Sequence, residues 1–86
     1  MKKGVIVYVA GSAEMQEDFD PEKAVRGLNL EADRVEVVLS DEYDQYFMNA
    51  WWTLITRGMG VIVCKMAEVV QGSRLKLTGR ELRLFG

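Results

Sequence analysis

The side chains that could carry chemistry are few. Cys64 is the single cysteine among 86 residues, and the chain contains no histidine. Without histidine the chain lacks the usual general base and the commonest metal ligand, which excludes His-dependent triads and zinc sites with His ligands. Strand alternation places Cys64 on the face of Ile62 and Met66, so we expect an inert buried thiol. We identify no catalytic residue and predict neither a metal site nor a cofactor, which leaves it open whether the protein is an enzyme.

Basic residues are concentrated in the last third of the chain. Residues 1–56 hold five basic and eleven acidic side chains, net −6, whereas residues 57–86 hold six basic and two acidic ones, net +4. If the leucines between them face the core, several cations share the opposite face of a C-terminal hairpin. The alternative function that follows is nucleic-acid or anion binding. The residues concerned are Arg74, Lys76, Arg80 and Arg83. The overall net charge of −2 argues against a dedicated nucleic-acid domain, and a solvated sheet face is the simpler interpretation.

Two short polar segments follow predicted strands. Gly11 and Ser12 come after the first strand, and Ser40 and Asp41 come after the second. Ligands of open parallel sheets bind beyond the carboxyl ends of the strands, so a small-ligand or enzyme site here is a second alternative. The chain contains neither GxGxxG nor GxxxxGK[ST], and these residues serve equally well as turn and cap.

The second predicted helix has a wider apolar surface than one sheet can cover. Residues 45–56 contain no charged side chain. A core stripe recurs at spacings of three and four, and Met48 and Trp52 lie on a different flank, which widens the apolar arc to about 240° against a usual stripe of about 100°. We expect Met48, Trp52 and Ile55 to face a partner, most simply a second copy in a homodimer. The alternative is that the first helix and residues 13–19 fold over this flank.

Side-chain periodicity, together with turn and capping residues, predicts the elements that position these residues. The continuous apolar run Val5–Ala10 is typical of a central strand covered on both faces. Further strands are expected over residues 34–40, 60–70, 74–78 and 82–85, the last two joined as a hairpin by Gly79 and Arg80. Helices are expected over residues 21–28, capped by Asp20, and 42–57, closed by Gly58.

The element order β-α-β-α-β-β(-β) predicts an α/β fold. We expect a two-layer sandwich with a single mixed sheet and both helices packed on one face. No linker or repeat interrupts the chain, so residues 1–86 are treated as one small domain.

The N-terminal apolar run is too short for targeting or membrane insertion. Its six residues fall below the roughly 7–15 of a secretory signal and the roughly 20 of a membrane span. We therefore expect no membrane association, and the single thiol fits the reducing cytoplasm. The leading hypothesis is a cytoplasmic, non-enzymatic α/β interaction domain that self-associates through the outer flank of its second helix or binds another protein there. Its biological process is not encoded in any motif.

Overall fold

The structure is a computed structural model and describes residues 1–10, 20–39, 44–70 and 74–86. The elements follow the order β1, α1, β2, α2, β3, β4. Their bounds are Lys3–Ala10 for β1, Pro21–Arg26 for α1, Arg34–Leu39 for β2, Asp44–Thr56 for α2, Val61–Val70 for β3 and Arg74–Phe85 for β4. The α/β class and the single mixed sheet are confirmed, and the predicted element order holds as far as β4.

The four strands form one sheet in the order β2-β1-β3-β4. β1 pairs in parallel with both β2 and β3, and β3 pairs antiparallel with β4. β1 is thus an inner strand. Its side chains Val5, Ile6, Val7 and Val9 are all essentially inaccessible to solvent, as the continuous apolar run predicts.

The two helices lie on opposite faces of the sheet, so the expectation of both on one face is wrong. Val25 of α1 packs with Val5 and Val7 of β1, whereas Leu54 of α2 packs with Ile6, which points the other way. We call these sides the α1 face and the α2 face.

Handedness explains this arrangement. The chain moves from β1 to β2 in one direction along the sheet, and then from β2 back across β1 to β3 in the other. Two right-handed crossovers that run in opposite directions place their helices on opposite faces.

The start of α1 and the end of α2 are each set by a capping residue that the sequence predicts. Asp20 caps α1, because its Oδ1 accepts hydrogen bonds from the backbone N–H groups of Glu22 (3.1 Å) and Lys23 (3.3 Å). Gly58 follows α2 with φ of 81°, and its N–H donates to the carbonyl of Ile55 (3.1 Å). Met59 N–H donates to the carbonyl of Leu54 (3.1 Å), which completes a Schellman motif.

The predicted C-terminal hairpin does not form. Residues 74–85 are one long strand that pairs antiparallel with β3 on both sides of an irregularity, and Gly79 lies within that irregularity with φ of 70°. The register shifts between Met66↔Thr78 and Cys64↔Leu82, so that three residues of β4 oppose one residue of β3. The positive-φ glycine therefore serves an irregularity within a strand rather than a reversal of the chain.

Candidate functional site

The outer flank of α2 is exposed in the structure. Met48 and Trp52 are 56% and 61% exposed, and Ile55 is half-buried. The helix packs over β2 and β1 through Ala50 and Leu54, which are buried. Phe47 also contributes, because its ring contacts the ring of Tyr8 edge-on with 6.0 Å between the ring centroids. We call Met48, Trp52 and Ile55 the apolar flank.

The core stripe of α2 is narrower than its sequence suggests. Tyr46 belongs to the apolar spacing, but it is half exposed on the side of the helix away from Trp52. Two elements could have covered the apolar flank from within the chain. One of them, α1, lies on the opposite face of the sheet, and residues 13–19 lie outside the described residues.

On the uncharged polar side of α2, two threonine hydroxyl groups donate hydrogen bonds to backbone carbonyls of the same helix. Thr53 Oγ1 donates to the carbonyl of Asn49 (2.8 Å), and Thr56 Oγ1 donates to the carbonyl of Thr53 (3.1 Å). These hydroxyl groups would not lose their partners if the surface were covered. The desolvation cost of covering this part of α2 is correspondingly low, because unsatisfied polar groups are what make burial expensive.

Two further large apolar side chains are exposed on β4. Leu82, opposite Cys64, is 54% exposed, and Phe85, opposite Ile62, is also exposed. Leu84 and Ile55 both pack against the buried cluster of the α2 face. The expectation that the leucines of the last third of the chain face the core is wrong at Leu82. The sequence does not show which strands α2 covers. The helix packs over β2 and β1, whereas Leu82 lies on β4 at the opposite edge of the sheet.

The basic residues singled out in the sequence do not share one surface. Arg74 and Lys76 lie opposite Val70 and Glu68 on the α2 face, whereas Arg83 lies opposite Val63 on the α1 face. The expectation that all three point the same way assumed a hairpin. In a continuous strand the alternation of side chains is not reset, so even-numbered and odd-numbered cations separate.

The fourth cation occupies the irregular part of β4. Arg80 follows Gly79 and lies beside a small cleft that Lys65 and Glu81 also line. Along β4, Arg80 therefore lies between the pair Arg74 and Lys76 and the single residue Arg83, rather than at the tip of a hairpin. The four cations of the anion-binding alternative are spread over both faces of β4.

Cys64 is buried, as expected. Desolvation raises the pKa of its thiol from the ordinary value of 9.0. Because the thiolate is the nucleophile, a raised pKa keeps the group protonated and inert near neutral pH. The thiol thus acts as a small buried side chain that packs on one face of the sheet, and it does not form a reactive site.

The residues of the small-ligand alternative, Gly11, Ser12, Ser40 and Asp41, lie outside the described residues. In the part of the chain that the structure does describe, no group of three or more cysteine or acidic side chains is arranged to hold a metal ion. Within those same ranges, no helix is both long enough and apolar enough to cross a bilayer.

Comparisons with models of protein families, with curated proteins and with solved structures each gave no match.

Proposed function

We propose that this protein is a small α/β interaction domain that self-associates through the apolar flank of α2, with no catalytic role. The observation that carries the proposal is the exposure of Met48 and Trp52 on a helical stretch without a charged residue. Large apolar side chains beside uncharged polar groups, with charges excluded, are typical of the centre of protein interfaces.

A homodimer is the simplest occupant because it needs no second component. In a two-fold interface the same patch meets itself, so Trp52 of one copy packs on Met48 or Trp52 of the other. Leu82 and Phe85 are also exposed, and they would enlarge the buried surface only if the second copy reached β4. The proposal includes a reducing, cytoplasmic location, for which the unpaired buried Cys64 is suitable.

The two alternatives draw less support from the geometry. Nucleic-acid binding through the four basic residues needs them on one surface, and β4 places Arg83 on the opposite face from Arg74 and Lys76. The small-ligand alternative concerns residues outside the described ranges, so no contact within the structure favours it.

Sedimentation equilibrium over a wide concentration range tests the proposal. We expect the wild type to dimerise, Trp52→Ala to shift the equilibrium toward monomer, and Tyr46→Ala to behave as the wild type. Tyr46 is the matched control, because it is also an exposed aromatic residue of α2 but lies away from the apolar flank. Circular dichroism establishes that each variant is folded.

The dependence of dimerisation on salt concentration provides a second test. An apolar interface should change little between low and high ionic strength, whereas an interface held by exposed charges weakens as salt screens them. A wild type that stays monomeric at the highest concentration overturns the proposal. So does a dimer that Tyr46→Ala dissociates as readily as Trp52→Ala.

A further inference from the structure

A cavity of about 360 Å³ opens on the α1 face, between α1 and β2. Among the described strands, β2 lies at one edge of the sheet, and the six-residue α1 packs beside it. Five aliphatic side chains from the helix, the connection after it and the strand line the cavity: Val25, Leu28, Leu30, Val35 and Val37. Val25 is buried, and the other four are partly buried and pack against the core of the α1 face.

Backbone hydrogen bonds hold the two leucines of this lining in place. Leu28 N–H donates to the carbonyl of Val25 (2.9 Å), and Leu30 N–H donates to the carbonyl of Leu28 (3.0 Å). Ala32 N–H donates to the carbonyl of Leu30 (2.7 Å). Small-molecule sites are usually preformed recesses of about 300–1,000 Å³ with mostly apolar walls and a few polar groups. The cavity agrees with that description in size and in lining, and an aliphatic group that fills it removes apolar surface from water.

Two opposite charges complete the lining. Glu22 and Arg26 are exposed, lie four residues apart on α1, and both line the cavity. Side chains at this spacing share one side of a helix, with about 5–6 Å between their Cβ atoms. None of the ion pairs among the described residues involves either of them. Within the described ranges, the carboxylate and the guanidinium therefore both remain available to a ligand.

We propose that this cavity binds an aliphatic α-amino acid, with the ligand's side chain in the apolar recess. The ligand's carboxylate would pair with Arg26, whose guanidinium has a fork of N–H donors suited to two carboxylate oxygens. Its ammonium group, on the adjacent carbon atom, would pair with Glu22. A ligand with a single charge is a poorer match, because Glu22 repels a lone carboxylate and Arg26 repels a lone ammonium group.

This inference goes beyond self-association and does not depend on it. The cavity lies on the α1 face and the apolar flank of α2 on the other side of the sheet, so a dimer formed through α2 leaves the cavity open. Sedimentation tests the dimer and ligand titration tests the cavity, so either proposal can fail without affecting the other.

NMR titration of the full chain with L-leucine tests the inference, beside three probes that each lack one part of leucine. Isocaproate lacks the ammonium group, isoamylamine lacks the carboxylate, and glycine lacks the aliphatic side chain. We expect leucine to shift the amide signals of Val25, Leu28, Val35 and Val37, and to bind more tightly than each of the other probes. The inference is overturned if leucine causes no shifts at these residues, or if any of the three probes binds as tightly as leucine.

Variants of α1 separate a specific contact from diffuse attraction. Arg26→Met should weaken leucine binding about 2- to 5-fold, the scale of one exposed ion pair. Lys23→Met is the matched control, because Lys23 is an exposed cation of the same helix that does not line the cavity. It should leave leucine binding unchanged, and equal losses in the two variants would rule out the proposed role of Arg26.

Glu22→Gln gives the sharpest result, because it should affect two ligands in opposite directions. It removes the partner of the ammonium group, so leucine should bind about 2- to 5-fold less tightly. It also removes the repulsion of a lone carboxylate, so isocaproate should bind about 2- to 5-fold more tightly. Misfolding does not produce a gain in affinity. If Glu22→Gln leaves both affinities unchanged, or lowers both, the cavity does not recognise a zwitterion and the inference is wrong.

Discussion

At the scale of single residues, Gly4 shows how closely α2 approaches the sheet. A Cβ atom added at Gly4 would lie 3.0 Å from Cδ2 of Leu54 and 3.0 Å from Cγ of Met59. Both neighbours are buried members of the α2-face core, so neither can move aside freely. The absence of a side chain in β1 therefore sets the distance between strand and helix.

We predict that Gly4→Ala destabilises the protein by about 1–3 kcal/mol, the usual cost of overpacking a filled core. Urea unfolding measures the effect. Gly27→Ala is the matched control, because Gly27 has ordinary helical angles and its added Cβ would only touch the Ala24 carbonyl at 3.4 Å. Equal midpoints for Gly4→Ala and the wild type would show that the helix can retreat without cost.

At the scale of elements, β4 decides how the last third of the chain is displayed. Its sequence alternates leucine with cations on both sides of Gly79 and Arg80, a pattern that fits two short strands in a hairpin as well as one long strand. The choice between them depends on β3, which has ten residues and so offers a template long enough for a continuous partner. Local sequence does not contain that information.

We predict that Gly79→Ala destabilises the protein by about 1–2 kcal/mol, because its φ of 70° is strained for a residue with a Cβ atom. Gly79→Asn should lose less, since asparagine tolerates this conformation better. Nothing lies within 4 Å of the added Cβ, so steric contact does not confuse the comparison. Thermal unfolding of the two variants supplies the measurement, and equal losses would argue that backbone strain is not the cause.

At the scale of the whole molecule, the described residues form one four-stranded sheet with a helix on each face, and these two helices leave part of each face uncovered. α2 packs over β2 and β1, which leaves the β4 side of its face exposed at Leu82 and Phe85. On the other face, α1 has six residues, and the sheet there carries the ion pairs of Lys3 and Lys65 with Glu81.

This division separates core residues of α2 from interface residues. We predict that Leu54→Ala, which empties a fully buried site, costs about 2–5 kcal/mol of unfolding free energy. Trp52→Ala should change the stability of the monomer by about 0.5 kcal/mol or less, as surface substitutions do. Denaturant unfolding at a concentration where the protein is monomeric measures both. A large loss in Trp52→Ala under those conditions would place Trp52 in the core instead.

The sequence by itself determined the α/β class, the order of the elements through β4, the caps at Asp20 and Gly58, and the burial of β1. These features depend on local chemistry: side-chain periodicity, a capping carboxylate and a glycine with positive φ. The run Val5–Ala10 indicates cover on both faces of the sheet, which agrees with helices on opposite sides. The same run therefore argues against both helices lying on one face.

Only the tertiary structure decided the sheet order, the exposure of Leu82 and the meeting of Lys3, Lys65 and Glu81. The physical reason is that each depends on which strands become neighbours, and strand pairing joins residues separated by most of the chain. A pattern within one strand fixes which side chains share a face. It does not fix what covers that face or which charges from other strands lie beside it.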